Sequence, residues 1–189
     1  MAGSIPKIGH NSGRVDEPGK SWRRHVWAKA RRDLMPNLPI EVIRRRVARA
    51  KELGLPYKTY AGLRAASGDD LIGFMFSSNA LDLLRAADSV PAAKVAKLDA
   101  LRDAKTVGLG ISPIAPEHLT PPLQSTYAAP DLLAPWAQTR AALRKIFVQT
   151  GHPASCFVLV CNSDLEREWV QAGRMAGTLP AADYFTPAQ

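Results

Sequence analysis

Residues 155–166 read Ser-Cys-Phe-Val-Leu-Val-Cys-Asn-Ser-Asp-Leu-Glu. Ser155 to Cys161 is the most hydrophobic run of strand length in the chain, and a strand without polar alternation is one buried on both faces. Ser163-Asp164-Leu165-Glu166 is a capping box. The Ser side chain accepts one orphan N–H of a new helix, and the Glu three residues on accepts another. That helix is expected to bury Leu165, Trp169 and Ala172 and to end at Gly177. A buried strand, a polar tip and a capped helix in succession are the unit of an α/β fold.

The same unit recurs upstream. Leu71-Ile72-Gly73-Phe74-Met75-Phe76 is a second apolar run, ending in Ser77-Ser78-Asn79 and leading into a helix expected over Ala80–Ala87. A helix over Pro91–Ala104 precedes a third strand, Thr106–Ile111. Pro113, Pro116, Pro121, Pro122, Pro130 and Pro135 crowd residues 113–135, so this segment reads as a long ordered loop or lid. A helix starting near Pro135 is expected to bury Trp136, Leu143, Ile146 and Phe147 and to stop at Gly151. The residues after Gly177, through Tyr184-Phe185, read as an aromatic tail that packs down. The expected class is therefore α/β: a small three-stranded, mostly parallel sheet flanked by helices.

The first third is different in charge. Of 189 residues, 25 are basic and 17 acidic, a net +8. Residues 1–66 hold 15 Lys or Arg against 5 Asp or Glu, whereas residues 67–189 hold 10 against 12. A positive field confined to one end draws polyanions. Residues 1–20, with four glycines and two prolines among polar residues, read as a flexible tail. Residues 21–67 read as a basic all-helical segment. Ser21 caps a helix to Leu34 with Trp22, Val26, Ala30 and Leu34 along one edge. A second helix follows Pro39 and runs to Leu53, and a third runs from Pro56 to about Ala66. Residues 69–189 form the α/β domain.

Residues 47–64, Val-Ala-Arg-Ala-Lys-Glu-Leu-Gly-Leu-Pro-Tyr-Lys-Thr-Tyr-Ala-Gly-Leu-Arg, place a small residue at Ala50 and a glycine at Gly54. Apolar residues follow at Leu55, Tyr60 and Leu63. This pattern resembles the DNA-binding helix-turn-helix. The resemblance implies that Tyr57, Lys58, Thr59, Ala61 and Arg64 face outward on the recognition helix. Arg44, Arg45, Arg46, Arg49 and Lys51 would then lie on a first helix that crosses the phosphate backbone. Gly62 inside the second helix and Pro56 in the turn depart from the pattern. Ile8-Gly9-His10-Asn11-Ser12 is similar to the opening of many bacterial proteins, some of them nucleoid-associated.

In an open α/β sheet, ligands bind beyond the carboxyl ends of the strands. Those ends carry Ser77, Ser78, Asn79, Ser112, Asn162, Ser163 and Asp164, which makes this edge a candidate anion site. The arrangement resembles the haloacid-dehalogenase-type phosphatases, with Ser77 and Asn79 where that family carries two aspartates. The resemblance therefore implies a phosphate-binding or inert relative, because the nucleophilic and magnesium-binding carboxylates are missing. A catalytic reading would rest on Ser77, Ser78 and Asp164, with His118 or His152 as base.

His10, His25, His118 and His152 are scattered, the cysteines have no partner at zinc spacing, and no Gly-rich phosphate loop or dinucleotide fingerprint occurs. No cofactor or metal is expected. Cys156 and Cys161 fall on opposite faces of one strand, so free buried thiols in a reducing, cytoplasmic setting are expected. No apolar run approaches the ~18–20 residues of a membrane span. The residues thus point to a non-enzymatic nucleic-acid-binding protein with a regulatory or accessory role, with DNA ahead of RNA and a second copy of the chain as a further candidate partner. The alternatives are a small hydrolase or phosphate-ligand-binding protein using the carboxyl edge, and an adaptor that offers helix 21–34 to a protein partner.

Overall fold

A computed structural model describes residues 38–119 and 122–186. The chain divides after Pro39 into two units, and the described elements lie in the second, Ile40–Gln189. The tail over residues 1–20 and the helix over 21–34 lie outside the described residues.

The sheet has the order β3-β2-β1-β4-β5, and every described pairing is parallel. Its strands are β1 (Gly73–Ser77), β2 (Lys105–Gly110), β3 (Ser125–Ala128), β4 (Phe157–Cys161) and β5 (Gly177–Pro180). β1 and β4 are buried at every position, as central parallel strands must be when helices cover both faces. The sheet therefore holds five strands, not the three expected. The two additions are the edge strands, each four residues long. β3 (Ser-Thr-Tyr-Ala) is half-exposed and sits among prolines, and β5 (Gly-Thr-Leu-Pro) contains both a glycine and a proline. Neither has the apolar run by which a buried strand is recognised.

Helices cover both faces. On one lie α1 (Ile40–Glu52), α2 (Tyr57–Ser67), α3 (Ala92–Asp99) and α6 (Ala181–Phe185); their Ala50, Tyr60, Leu98 and Tyr184 join Phe74, Phe76, Val158 and Val160 in one core. On the other lie α4 (Trp136–Thr150) and α5 (Asp164–Gly173); their Leu143, Phe147 and Trp169 meet Met75, Leu109 and Leu159. The alternation along β1 and β4 places successive side chains in the two cores in turn.

The basic helices are thus not a separate layer: α1 and α2 share their core with the central strands. Their junction is a Schellman turn. Gly54 has φ +62°, its N–H reaches Lys51 O at 3.0 Å, and the Leu55 N–H reaches Ala50 O at 2.8 Å. A left-handed residue at this cap is what glycine supplies without steric cost.

Other expectations change. Only a 3-10 turn, Asn79–Leu81, forms in place of the helix over Ala80–Ala87. There Asp82 turns left-handed at φ 61°, and Asp88 takes the N–H groups of Leu84 and Arg85. The described part of residues 113–135 is not all loop: β3 lies within it, and Ile114, Leu119 and Leu123 are core residues. Trp136 and Leu165, expected inward, are 51% and 44% exposed. The tail after Gly177 does pack down, with the Tyr184 ring 4.9 Å from Phe74 and 5.6 Å from Phe76.

α2 is tied to the amino end of β1 by a polar triad. The buried Tyr60 hydroxyl donates to Asp70 Oδ1 at 2.6 Å, and Arg64 Nη1 lies 2.9 Å from Asp70 Oδ2. Partial burial pushes the Asp70 carboxyl up, but the Tyr60 bond and the Arg64 charge outweigh it and hold the group below its ordinary value. A depressed folded-state value means stability that is present above the unfolded value and is lost as pH falls through the folded one. Asp70→Asn should therefore flatten the acid limb of stability against pH. Chemical denaturation across acidic buffers reads this, and an unchanged acid limb would count against the triad.

Candidate functional site

Two regions bear on function: the carboxyl edge of the sheet and the outer side of the α1–α2 corner. The edge is built where β1 and β4 lie side by side, the point at which open α/β sheets reverse strand order and leave a crevice. In this chain the crevice is stitched shut by its own side chains.

Glu166 is fully buried. Its Oε2 accepts from the N–H groups of Asn162 at 2.7 Å and Ser163 at 3.0 Å. Its Oε1 accepts from Asn79 Nδ2 at 2.7 Å, and Asn162 Nδ2 donates to Asn79 O at 2.9 Å. The capping box forms as read, with Ser163 Oγ accepting from Glu166 N at 3.2 Å. The long-range bond to Asn79 is what spacing along the chain could not reveal.

Ser77 and Ser78 are also fully buried. Ser77 Oγ accepts from Ala80 N at 3.1 Å and ends β1. Ser78 Oγ accepts from Ile111 N at 3.2 Å and joins the tips of β1 and β2. Both hydroxyls serve the backbone and neither meets solvent. Ser112 is exposed, and Asp164 is exposed and paired with Arg167 at 2.8 Å. His118 is exposed in a 3-10 turn, while His152 sits before the amino end of β4 with its ring 6.3 Å from that of Phe157. Beside the strand tips lies a cleft of about 460 Å³ lined by Asp82, Lys94, Asn162 and Phe185 among others. Lys94 Nζ is held there by Ala80 O and Asp82 Oδ2, both at 2.8 Å, so its charge is already matched. Among the described residues no group of three or more His, Cys, Asp or Glu side chains could hold a metal.

The cysteines are free and buried. Burial, followed by the Glu166 charge, raises the Cys161 thiol to about 11; burial, followed by Asp69, raises Cys156. Thiolates are the reactive form. Near neutral pH a disulfide reagent should label neither cysteine of the folded protein quickly and both after unfolding; fast labelling of the native state would contradict this.

At the corner, the nine polar side chains picked from the sequence divide. Arg44, Arg45, Lys51 and Lys58 are exposed. Arg44 holds only an exposed pair with Glu41 at 2.8 Å, an interaction of ~0–1 kcal/mol. Arg45, Lys51 and Lys58 have no counter-ion among the described residues. Arg49 is turned inward, with Nη1 on Glu52 at 2.8 Å and Nη2 on the carbonyls of Leu71 at 3.0 Å and Asp103 at 3.2 Å. It staples α1 to the loops before β1 and β2. Arg64 belongs to the Asp70 triad. Tyr57 packs against the core, Thr59 is half-buried, and Arg46 is half-buried with an Nε that has no partner among the described residues. The basic helix pattern could not separate cations that face water from cations that tie elements together.

No helix among the described residues is long and apolar enough to cross a membrane. No family model matches the chain, and neither a curated protein nor a solved structure matches it at a significant level.

Proposed function

We propose that this protein is a non-enzymatic accessory protein that binds the phosphate backbone of nucleic acid, DNA ahead of RNA, through the outer side of the α1–α2 corner. The observation that supports this is the set of exposed cations there: Arg45, Lys51 and Lys58 without counter-ions among the described residues, and Arg44 beside them. Arg44 and Lys51 border the same shallow groove on α1, floored by Ile43, Val47 and Ala48. Seven helical residues put them ~10 Å apart along the axis, a span over which both meet one polyanion. The reading is of backbone contact and not of base readout, because the exposed residues of α2 are Lys58, Gly62, Ala65, Ala66 and only the first can reach a base edge. Binding is then steeply salt-dependent and weakly selective for sequence.

The alternative, a hydrolase or phosphate-binding protein at the carboxyl edge, has less behind it. Ser77, Ser78 and Glu166 are spent on internal hydrogen bonds, and the nearby Lys94 is neutralised.

The test is fluorescence anisotropy of the full chain with a labelled duplex across a salt series. Arg44→Ala/Arg45→Ala/Lys51→Ala should weaken binding at low salt and reduce the log–log salt slope by about 2–3. Arg49→Ala should lower the melting temperature while leaving the slope of the folded protein as it was. An unchanged slope in the triple variant, or no salt-dependent binding by the unaltered chain, would overturn the reading.

A further inference from the structure

The net charge of −2 over residues 67–189 hides a second basic surface. α4 reads Trp-Ala-Gln-Thr-Arg-Ala-Ala-Leu-Arg-Lys-Ile-Phe-Val-Gln-Thr and contains no acidic residue. Its inner face buries Thr139, Leu143, Ile146 and Phe147. Its outer face carries two adjacent ridges at four-residue steps, one of Arg140, Arg144 and Val148 and one of Ala137, Ala141, Lys145 and Gln149. Ala137 and Ala141 keep the second ridge low along its first half, and a trough of about 590 Å³ lined by these residues runs along the helix. Both ends are apolar and open, at the exposed Ala137 and at Val148, the latter 74% exposed. The three cations between them are exposed and form no ion pair among the described residues.

We infer that this face is a docking surface for an acidic amphipathic helix of another protein. Charge complementarity selects the occupant. Arg140, Arg144 and Lys145 call for carboxylates about one turn apart, and Ala137 and Val148 call for apolar side chains at the two ends, ~17 Å from each other along the helix. An alanine floor lets a partner backbone come close, which a helix exploits through ridge-in-groove packing. A phosphate backbone would engage the cations but leave Val148 and the floor wet. This surface lies on the opposite side of the sheet from α1, since α1 packs in the core with Phe74 and Phe76 and α4 in the core with Met75 and Leu159. Its occupant and the nucleic acid proposed above would not compete.

The probe is a labelled synthetic helical peptide with Glu at i and i+4 flanked by Leu at both ends, titrated against the full chain by anisotropy. A scrambled peptide of equal composition and a labelled duplex are run beside it. The helical peptide should bind, and the scrambled one should bind at least about tenfold more weakly. Arg140→Glu/Arg144→Glu should abolish binding of the Glu peptide and restore binding to a peptide with Lys at the same positions. These side chains are exposed, so circular dichroism melting should be unchanged. Equal binding of the scrambled peptide, no binding of the helical one, or failure of the charge swap would overturn the proposal. So would a loss of duplex binding in Arg140→Glu/Arg144→Glu as large as the loss of peptide binding, which would assign the face to nucleic acid.

Discussion

Glu166→Ala should lower the melting temperature by about 6–12 °C, as read by calorimetry. The carboxylate is fully buried and takes three N–H groups, from Asn79, Asn162 and Ser163. Truncation leaves these donors unpaired and opens a void. Stranded buried donors cost ~1–3 kcal/mol each before any void is counted. Water can reach the partly exposed members and lessen the loss, so a total of about 3 kcal/mol is expected, at ~2–4 °C per kcal/mol for a chain of this size. Glu166→Gln separates charge from connectivity. Its amide oxygen can keep the Asn162 and Ser163 N–H groups, and its NH₂ can face Asn79 if that amide flips to present oxygen. The Gln variant should therefore lose roughly half as much. Equal losses for Ala and Gln would mean that the negative charge matters more than the bonds. No loss for either would mean that the β1–β4 crevice is not held shut by this residue.

Gly73→Ala should be more damaging still. A Cβ at Gly73 would stand 2.0 Å from Lys105 O, 2.7 Å from its carbonyl carbon and 2.8 Å from its Cα. All three are backbone atoms of the neighbouring strand in register with Gly73, so no rotamer change relieves the contact. β1 and β2 must part at their amino ends, in the centre of the sheet. A loss above ~4 kcal/mol is expected, in the range kept for severe core defects, and it would appear as an insoluble product or a transition shifted by more than ~8 °C. Gly62→Ala is the internal control. It is exposed on α2 with nothing within 4 Å of the new methyl, and should stabilise by ~0.5–1 kcal/mol. A mild Gly73→Ala would mean that the β1–β2 register differs from the one described.

Several elements could be read directly from residues. β4 followed by the Ser163–Glu166 box is legible because burial on both faces demands an unbroken apolar run and a helix start demands side-chain acceptors. The Gly54 bend is legible for a similar reason, since a left-handed cap between two amphipathic patterns favours glycine. Edge strands are not legible in this way. β3 and β5 each have one neighbour and one partly wet face, so little in their composition separates them from loop. Trp136 stands in line with the buried Leu143, seven residues on, yet as the first residue of its helix it stays half-exposed.

Local pattern alone determined that this chain is α/β, that two basic helices bend at Gly54 and that Glu166 caps a helix, because each depends on residues within a few positions of one another. Tertiary structure decided which of those charges are free. Arg49 and Arg64 lie in the same basic pattern as Arg45 and Lys58, yet the first two close on Leu71, Asp103 and Asp70 while the others face water. A cation's role is set by the acceptors that folding brings within about 3 Å of it, and those acceptors lie 6 to 54 positions away along the chain.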